Sequence, residues 1–145
     1  MKNRIHGLIS ILLVISAFLI GMYAVISQSL VYGLVYVCVI AASPFIIGYA
    51  FCSKCPCRLD SCGHIFVGKI TKYVPDRTQS EYTIADYIAV FVPMLILIAF
   101  PQLWLWDNKI LLGIFWMFFL VAAIEINFFV CTRCGNKACA LCKNK

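Results

Sequence analysis

Residues 30–51 read LVYGLVYVCVIAASPFIIGYAF, and the chain runs from there directly into CSKCPC at residues 52–57. The first of these stretches contains no charged side chain. A run of about 18 or more mostly apolar residues is long enough to cross the hydrocarbon core of a bilayer as an α-helix. The sequence therefore predicts a membrane-spanning helix that ends at a group of thiols.

Three other stretches have the same character, at residues 7–27, 84–104 and 110–130. The 145-residue chain is 63% hydrophobic, with a mean hydropathy of +0.96, which exceeds what a soluble core of this size needs. Short segments separate the first helix from the second and the third from the fourth, so each pair is expected to form an antiparallel hairpin. We predict one all-α integral membrane domain over residues 1–145, a four-transmembrane-helix bundle made of two helical hairpins.

The first helix has one slim face. Its small residues recur at a helical spacing and are Ser10, Ala17, Gly21 and Ala24. Such a face permits close contact between helices in a membrane. The short connection makes the second helix its expected partner.

The third helix carries signals for its start and for a bend. Thr83 is the predicted N-cap, with Ser80 as the alternative. Pro93 and Pro101 interrupt backbone hydrogen bonding, so this helix is expected to be bent.

The distribution of basic residues predicts the orientation. Lys109 is the exception among the 12 Lys and Arg residues, since all the others fall in segments on the same side of the membrane as the two termini. Basic residues in short loops are retained on the cytoplasmic side. We therefore expect a protein of a bacterial or archaeal-type inner membrane, with both termini, the loop at residues 52–83 and the tail at residues 131–145 in the cytoplasm.

Eight of the nine cysteines lie in that loop and that tail. The loop cysteines are Cys52, Cys55, Cys57 and Cys62, and the tail cysteines are Cys131, Cys134, Cys139 and Cys142. Cytoplasmic thiols are kept reduced, and pairs spaced as C-x2-C can grip one metal ion from a tight turn, so a metal site is favoured over disulfides. His64 is an alternate ligand, because four thiolates already complete a tetrahedral site. Both patches directly follow inward-running helices and are expected to form one cytoplasmic metal-binding unit, with one site or two.

Zinc is the expected metal, and an iron–sulfur cluster is the alternative, since both accept four thiolates. The bacterial ferredoxin spacing of cysteines is absent, and the tail reproduces only part of the plant-type spacing. The basic residues between the cysteines are expected to offset thiolate charge and to contact lipid headgroups, so nucleic acid is not an expected partner. Residues 65–74 contain enough apolar side chains for an amphipathic segment on the membrane or over the metal site.

Two acidic residues, Asp86 and Glu125, lie inside predicted spans near their inner ends. Ionisable groups in such positions are costly and often functional, but they can also bond to the loop backbone or reach the interface. The middle of each span lacks Lys, Arg and His, which excludes a b-type haem with histidine ligands. No nucleophile–base pair or phosphate-binding loop motif is present, so no catalytic residue is predicted.

Four spans with inner-face cysteine clusters are similar to membrane ferredoxin-type subunits and to small mercury-uptake proteins. The cysteine spacings differ from both patterns, so the resemblance assigns no residue a role. The expected function is a non-enzymatic metal-binding membrane protein, an accessory or docking subunit whose partners are the lipid bilayer and other protein subunits. The alternatives are an electron-transfer subunit exchanging electrons with quinone, and soft-metal transport or sensing through Cys38.

Overall fold

The structure of the protein is a computed structural model that describes residues 2–57, 62, 64, 67 and 70–131, with side chains from residue 5 onward. Its long helices are α1 (Lys2–Gln28), α2 (Leu30–Ala50), α3 (Ile84–Ala99) and α5 (Lys109–Glu125), with a short α4 (Gln102–Leu105). A π-helical turn, Ile126–Val130, extends α5, and 3-10 turns form at Cys52–Lys54 and Thr71–Tyr73. Every regular element of the described residues is helical.

Four stretches are long and apolar enough to cross a membrane: Ile5–Gln28, Leu30–Lys54, Ile84–Leu105 and Lys109–Val130. They coincide with the predicted spans to within a few residues. Large apolar side chains cover the outer surface of the bundle, with Phe45 75% exposed and Ile110 75% exposed. The predicted all-α architecture with four apolar helices is confirmed, and it is compatible with an integral membrane protein.

The packing order of the helices differs from two separate hairpins. α1 makes its most extensive contact with α5 and also packs against α2, while α2 packs against α3. α3 and α5 have little direct contact within the described part of the chain. The first hairpin is thus a packed pair, whereas the helices of the second each pack against a different helix of the first.

The small residues predicted to give α1 a slim face are all buried. They are Ser10, Ala17, Gly21 and Ala24. Ala17 and Ala24 form a core cluster with Leu105 of α4 and Phe115 of α5. The slim face therefore serves the second half of the chain as well as the expected partner α2.

The third span is interrupted at Pro101. α3 ends at Ala99 and α4 begins at Gln102, because Pro101 has no N–H to donate to the carbonyl of Leu97 one turn earlier. The hydroxyl of Tyr36, a fully buried residue of α2, donates to that Leu97 oxygen at 2.8 Å. A neighbouring helix therefore supplies the missing donor, as buried backbone groups in a bilayer require.

Gly21 of α1 packs against this interruption. A Cβ atom added to Gly21 would lie 3.1 Å from Pro101 Cβ and 3.1 Å from the Tyr36 hydroxyl oxygen, closer than ordinary van der Waals contact. Glycine therefore lets α1 approach α2 and the third span together. Pro93 lies within α3 without ending it, so only one of the two predicted bend positions coincides with a break.

Candidate functional site at the cysteine end of the bundle

The end of the bundle at which α2 and α5 terminate is called here the cysteine end. Cys52 begins the 3-10 turn after α2, and Cys131 follows the π turn after α5. α2 and the π turn both pack against α1, so α1 lies between the two cysteine positions. Cys134, Cys139 and Cys142 lie outside the described residues, and the predicted union of the two patches stays a prediction.

Lys54 holds the first pair of loop cysteines against the start of α3. It lies between Cys52 and Cys55, and its ammonium Nζ is 2.6 Å from Asp86 Oδ2 and 2.7 Å from the Glu81 carbonyl oxygen. The side chains of Lys54 and Asp86 are only 2% and 8% exposed. Lys54 was expected to offset thiolate charge, but its charge is instead matched by a buried carboxylate.

Asp86 also caps α3. Its Oδ2 accepts hydrogen bonds from the Thr83 backbone N–H and hydroxyl, both at 2.7 Å. Thr83 and Asp86 form a capping box, so the predicted N-cap at Thr83 is confirmed. A carboxylate in the first turn is favourable because it faces the unpaired N–H groups of the helix. Asp86 thus has a structural role that needs no ligand.

Further contacts join residues 51–54 to the segment that leads into α3. The Arg77 N–H donates to the Ser53 carbonyl at 3.1 Å. The Phe51 ring lies 4.7 Å from the Tyr82 ring and 6.1 Å from the Tyr87 ring, measured between centroids. The Cys52–Lys54 turn is therefore anchored by an ion pair, a backbone hydrogen bond and aromatic contacts. We call this set of contacts the Lys54 clamp.

The described loop cysteines flank and follow this clamp in the chain. Cys52, Cys55, Cys57 and Cys62 are half-buried, and no disulfide joins any two of the described cysteines. Among the residues that the structure describes, no group of three or more Cys, His, Asp or Glu side chains is arranged to hold a metal ion. The predicted metal ligands therefore stay predictions.

His64 reaches from the loop to the start of α1. Its Nδ1 lies 3.2 Å from the Gly7 carbonyl oxygen. A carbonyl can only accept, so Nδ1 carries the proton and Nε2 keeps its lone pair. Burial lowers the pKa of His64, an effect opposed by the hydrogen bond to Gly7. Histidine binds metals as a neutral ring, with one nitrogen on the metal and the other donating a hydrogen bond that fixes the ring.

A second acid–base pair joins α1 to α5 at the same end. His6 Nδ1 lies 2.7 Å from Glu125 Oε2, and the side chains are 30% and 20% exposed. The His6 ring stacks on Phe129 of the π turn, with centroids 4.5 Å apart. Sequence reasoning selected Glu125 but not His6, because 119 positions separate the two and no local pattern links them.

No protein-family model, characterised protein or solved structure matches this chain. One end of the apolar bundle carries an anchored pair of thiols, a hydrogen-bonded histidine and a partly exposed His–Glu pair.

Proposed function

We propose that this protein is a non-enzymatic membrane protein whose four-helix bundle carries a zinc–thiolate unit at its cysteine end. In this proposal the cysteine end faces the cytoplasm, and the protein is an accessory or docking subunit of a larger membrane complex. The observation that supports it best is the position of Cys52 and Cys55, both half-buried, on either side of Lys54, whose ammonium is fixed by Asp86.

The clamp favours a metal-binding role over thiol chemistry. A reactive cysteine needs a nearby cation that stabilises its thiolate. The cation closest in sequence to the first thiol pair is Lys54, and its charge is matched by Asp86. A divalent metal ion would then supply the positive charge that deprotonates the thiols. An anchored turn also lowers the ordering cost of binding.

We propose two ligand sets for the loop. Cys52, Cys55 and Cys62 belong to both, and the fourth ligand is either Cys57 or His64. The sequence favours Cys57, since four thiolates complete a tetrahedral zinc site. The orientation of the His64 ring by Gly7 supports His64 as the alternative. The tail cysteines, Cys131, Cys134, Cys139 and Cys142, would form a second site or contribute to the same one.

Metal analysis of the full-length protein, purified without oxygen, tests the proposal. We expect a colourless protein containing zinc, and Cys52→Ser and Cys55→Ser should each lose about one equivalent, because a structural site with an open position binds zinc far less tightly. Cys38→Ser is the matched control, since Cys38 is an exposed thiol in the middle of α2. Protein without zinc, or equal loss in the control, would contradict the proposal.

The fourth ligand is assigned by two further variants in the same assay. If Cys57 is the ligand, Cys57→Ser loses zinc and His64→Ala keeps it. The reverse result would assign His64 to the site and leave Cys57 outside it.

Electron transfer is the second candidate, in which an iron–sulfur centre exchanges electrons with quinone. The His6–Glu125 pair favours it, because quinone reduction takes up protons and Glu125 directly precedes the π turn that Cys131 follows. Brown protein containing iron and acid-labile sulfide would select this function and reject zinc.

A further inference from the structure

The second half of the loop at residues 52–83 contacts the last turn of α2. The guanidinium carbon of Arg77 lies 5.1 Å from the centroid of the Tyr49 ring. Tyr49 belongs to the last turn of α2 and is 53% exposed on the outer surface of the bundle. Tyr49 lies near the end of the candidate span Leu30–Lys54, where the boundary between the hydrocarbon core and the headgroups is expected.

Arg77 is held in this position by its backbone. Its N–H donates to the Ser53 carbonyl at 3.1 Å. Ser53 is fully buried, and its hydroxyl donates to the Tyr49 carbonyl at 2.6 Å. These bonds tie the backbone of Arg77 to the end of the helix whose aromatic ring its guanidinium covers. The cation is therefore kept at a defined depth.

The 3-10 turn that precedes Arg77 in the chain has exposed basic and apolar side chains. Thr71 is buried, whereas Lys72 is exposed and the Ile70 and Tyr73 side chains are 45% and 88% exposed. Exposed apolar and aromatic groups beside basic ones are typical of segments that lie in the headgroup region. Of the two positions predicted for this amphipathic segment, the contact between Arg77 and Tyr49 favours the membrane surface.

One acid lies within this surface. Asp76 Oδ1 accepts hydrogen bonds from the Thr78 backbone N–H and hydroxyl at 3.0 and 2.9 Å. Residues 70–77 hold two basic side chains and this one acid, so the segment keeps a positive balance. The surface therefore suits an anionic partner.

We infer that Arg77, in a segment that also carries the exposed Lys72 and Tyr73, forms a binding site for the headgroup phosphate of an anionic phospholipid. A guanidinium presents a planar fork of donors that matches phosphate oxygens. The Tyr49 ring beneath it and the Tyr73 side chain have apolar bodies and polar tips, which suits the boundary region.

Native mass spectrometry of the full-length protein in neutral detergent tests this site, with dioctanoyl-phosphatidylglycerol titrated against dioctanoyl-phosphatidylcholine. We expect the wild type to prefer phosphatidylglycerol. Arg77→Gln should lower the affinity for phosphatidylglycerol about fivefold, the usual effect of one basic residue near an anionic membrane surface. The affinity of Arg77→Lys for phosphatidylglycerol should lie between those of the wild type and Arg77→Gln, because the charge remains and the planar fork is lost.

Lys109→Gln is the matched control. Lys109 Nζ lies 3.9 Å from the centroid of the exposed Trp106 ring at the opposite end of the bundle, so it is also a cation over an aromatic ring at the end of a span. Its replacement should leave most of the preference in place. An unchanged preference in Arg77→Gln, an equal loss in Lys109→Gln, or displacement of the lipid by inorganic phosphate would overturn the inference. If Arg77→Gln does not fold, an unchanged preference for phosphatidylglycerol in Arg77→Lys would overturn the inference instead.

Discussion

Asp86 and Glu125 lie at the same end of the bundle, and each pairs with a basic side chain, but their surroundings differ. Asp86 is sealed from solvent and bonds to Lys54, to the Thr83 N–H and to the Thr83 hydroxyl. Glu125 is part-exposed, and the bond that the structure gives it is to His6. In the sequence the two acids look alike, because each lies inside a predicted span near its inner end. Burial therefore distinguishes the Lys54–Asp86 pair from the partly exposed His6–Glu125 pair.

The difference predicts a large effect when the buried pair is broken. Lys54→Met is expected to lower the free energy of unfolding by about 3–5 kcal/mol, because it leaves the Asp86 carboxylate buried without its cation. The measurement is equilibrium unfolding in detergent, followed by circular dichroism on metal-depleted protein. Metal depletion ensures that the effect comes from the clamp and not from lost zinc.

The double variant Lys54→Met/Asp86→Asn is the control for this experiment. It removes both charges, so it should be more stable than the single variant if the stranded carboxylate causes the loss. If the stability of Lys54→Met lies within about 0.5 kcal/mol of the wild type, which is the range of ordinary surface substitutions, the Lys54–Asp86 pair does not stabilise the cysteine end.

The hydrogen bond between Tyr36 and the Leu97 carbonyl is buried but involves no charge, so it can be compared with the buried ion pair. Tyr36→Phe removes the hydroxyl that donates to the Leu97 carbonyl beside Pro101, and it leaves that oxygen without this donor. We expect a loss of about 1–2 kcal/mol, less than for Lys54→Met because no charge is stranded. The same unfolding assay measures it. A loss as large as that of Lys54→Met would show that burial, and not charge, dominates both sites.

The smallest loss of stability is expected at the partly exposed His6–Glu125 pair. Glu125→Gln should cost about 1 kcal/mol or less, because water and counter-ions reach these side chains and partly replace the lost partner. Thermal unfolding of this variant beside Asp86→Asn makes the comparison direct. Equal losses would mean that both acids are structural, and the proton-exchange role suggested for the His6–Glu125 pair would lose its support.

The extent of the helices could be predicted from sequence because it depends on local composition. Residues 30–51 are mostly apolar and contain no charged side chain, and the observed α2 covers Leu30–Ala50. The N-cap at Thr83 was also predictable, since its partner Asp86 is only three residues away. The spacing of the loop cysteines is equally local, and it supports a metal site without showing which side chains bind.

The tertiary structure decided the contacts between residues far apart in the chain. Lys54 and Asp86 are 32 positions apart, Tyr36 and Leu97 are 61 apart, and His6 and Glu125 are 119 apart. Apolar length and cysteine spacing can be read along a single helix or turn. The partner of each acid cannot be read in this way, because it depends on which helices are neighbours. In this bundle α1 lies between α2 and α5, while α3 packs against α2.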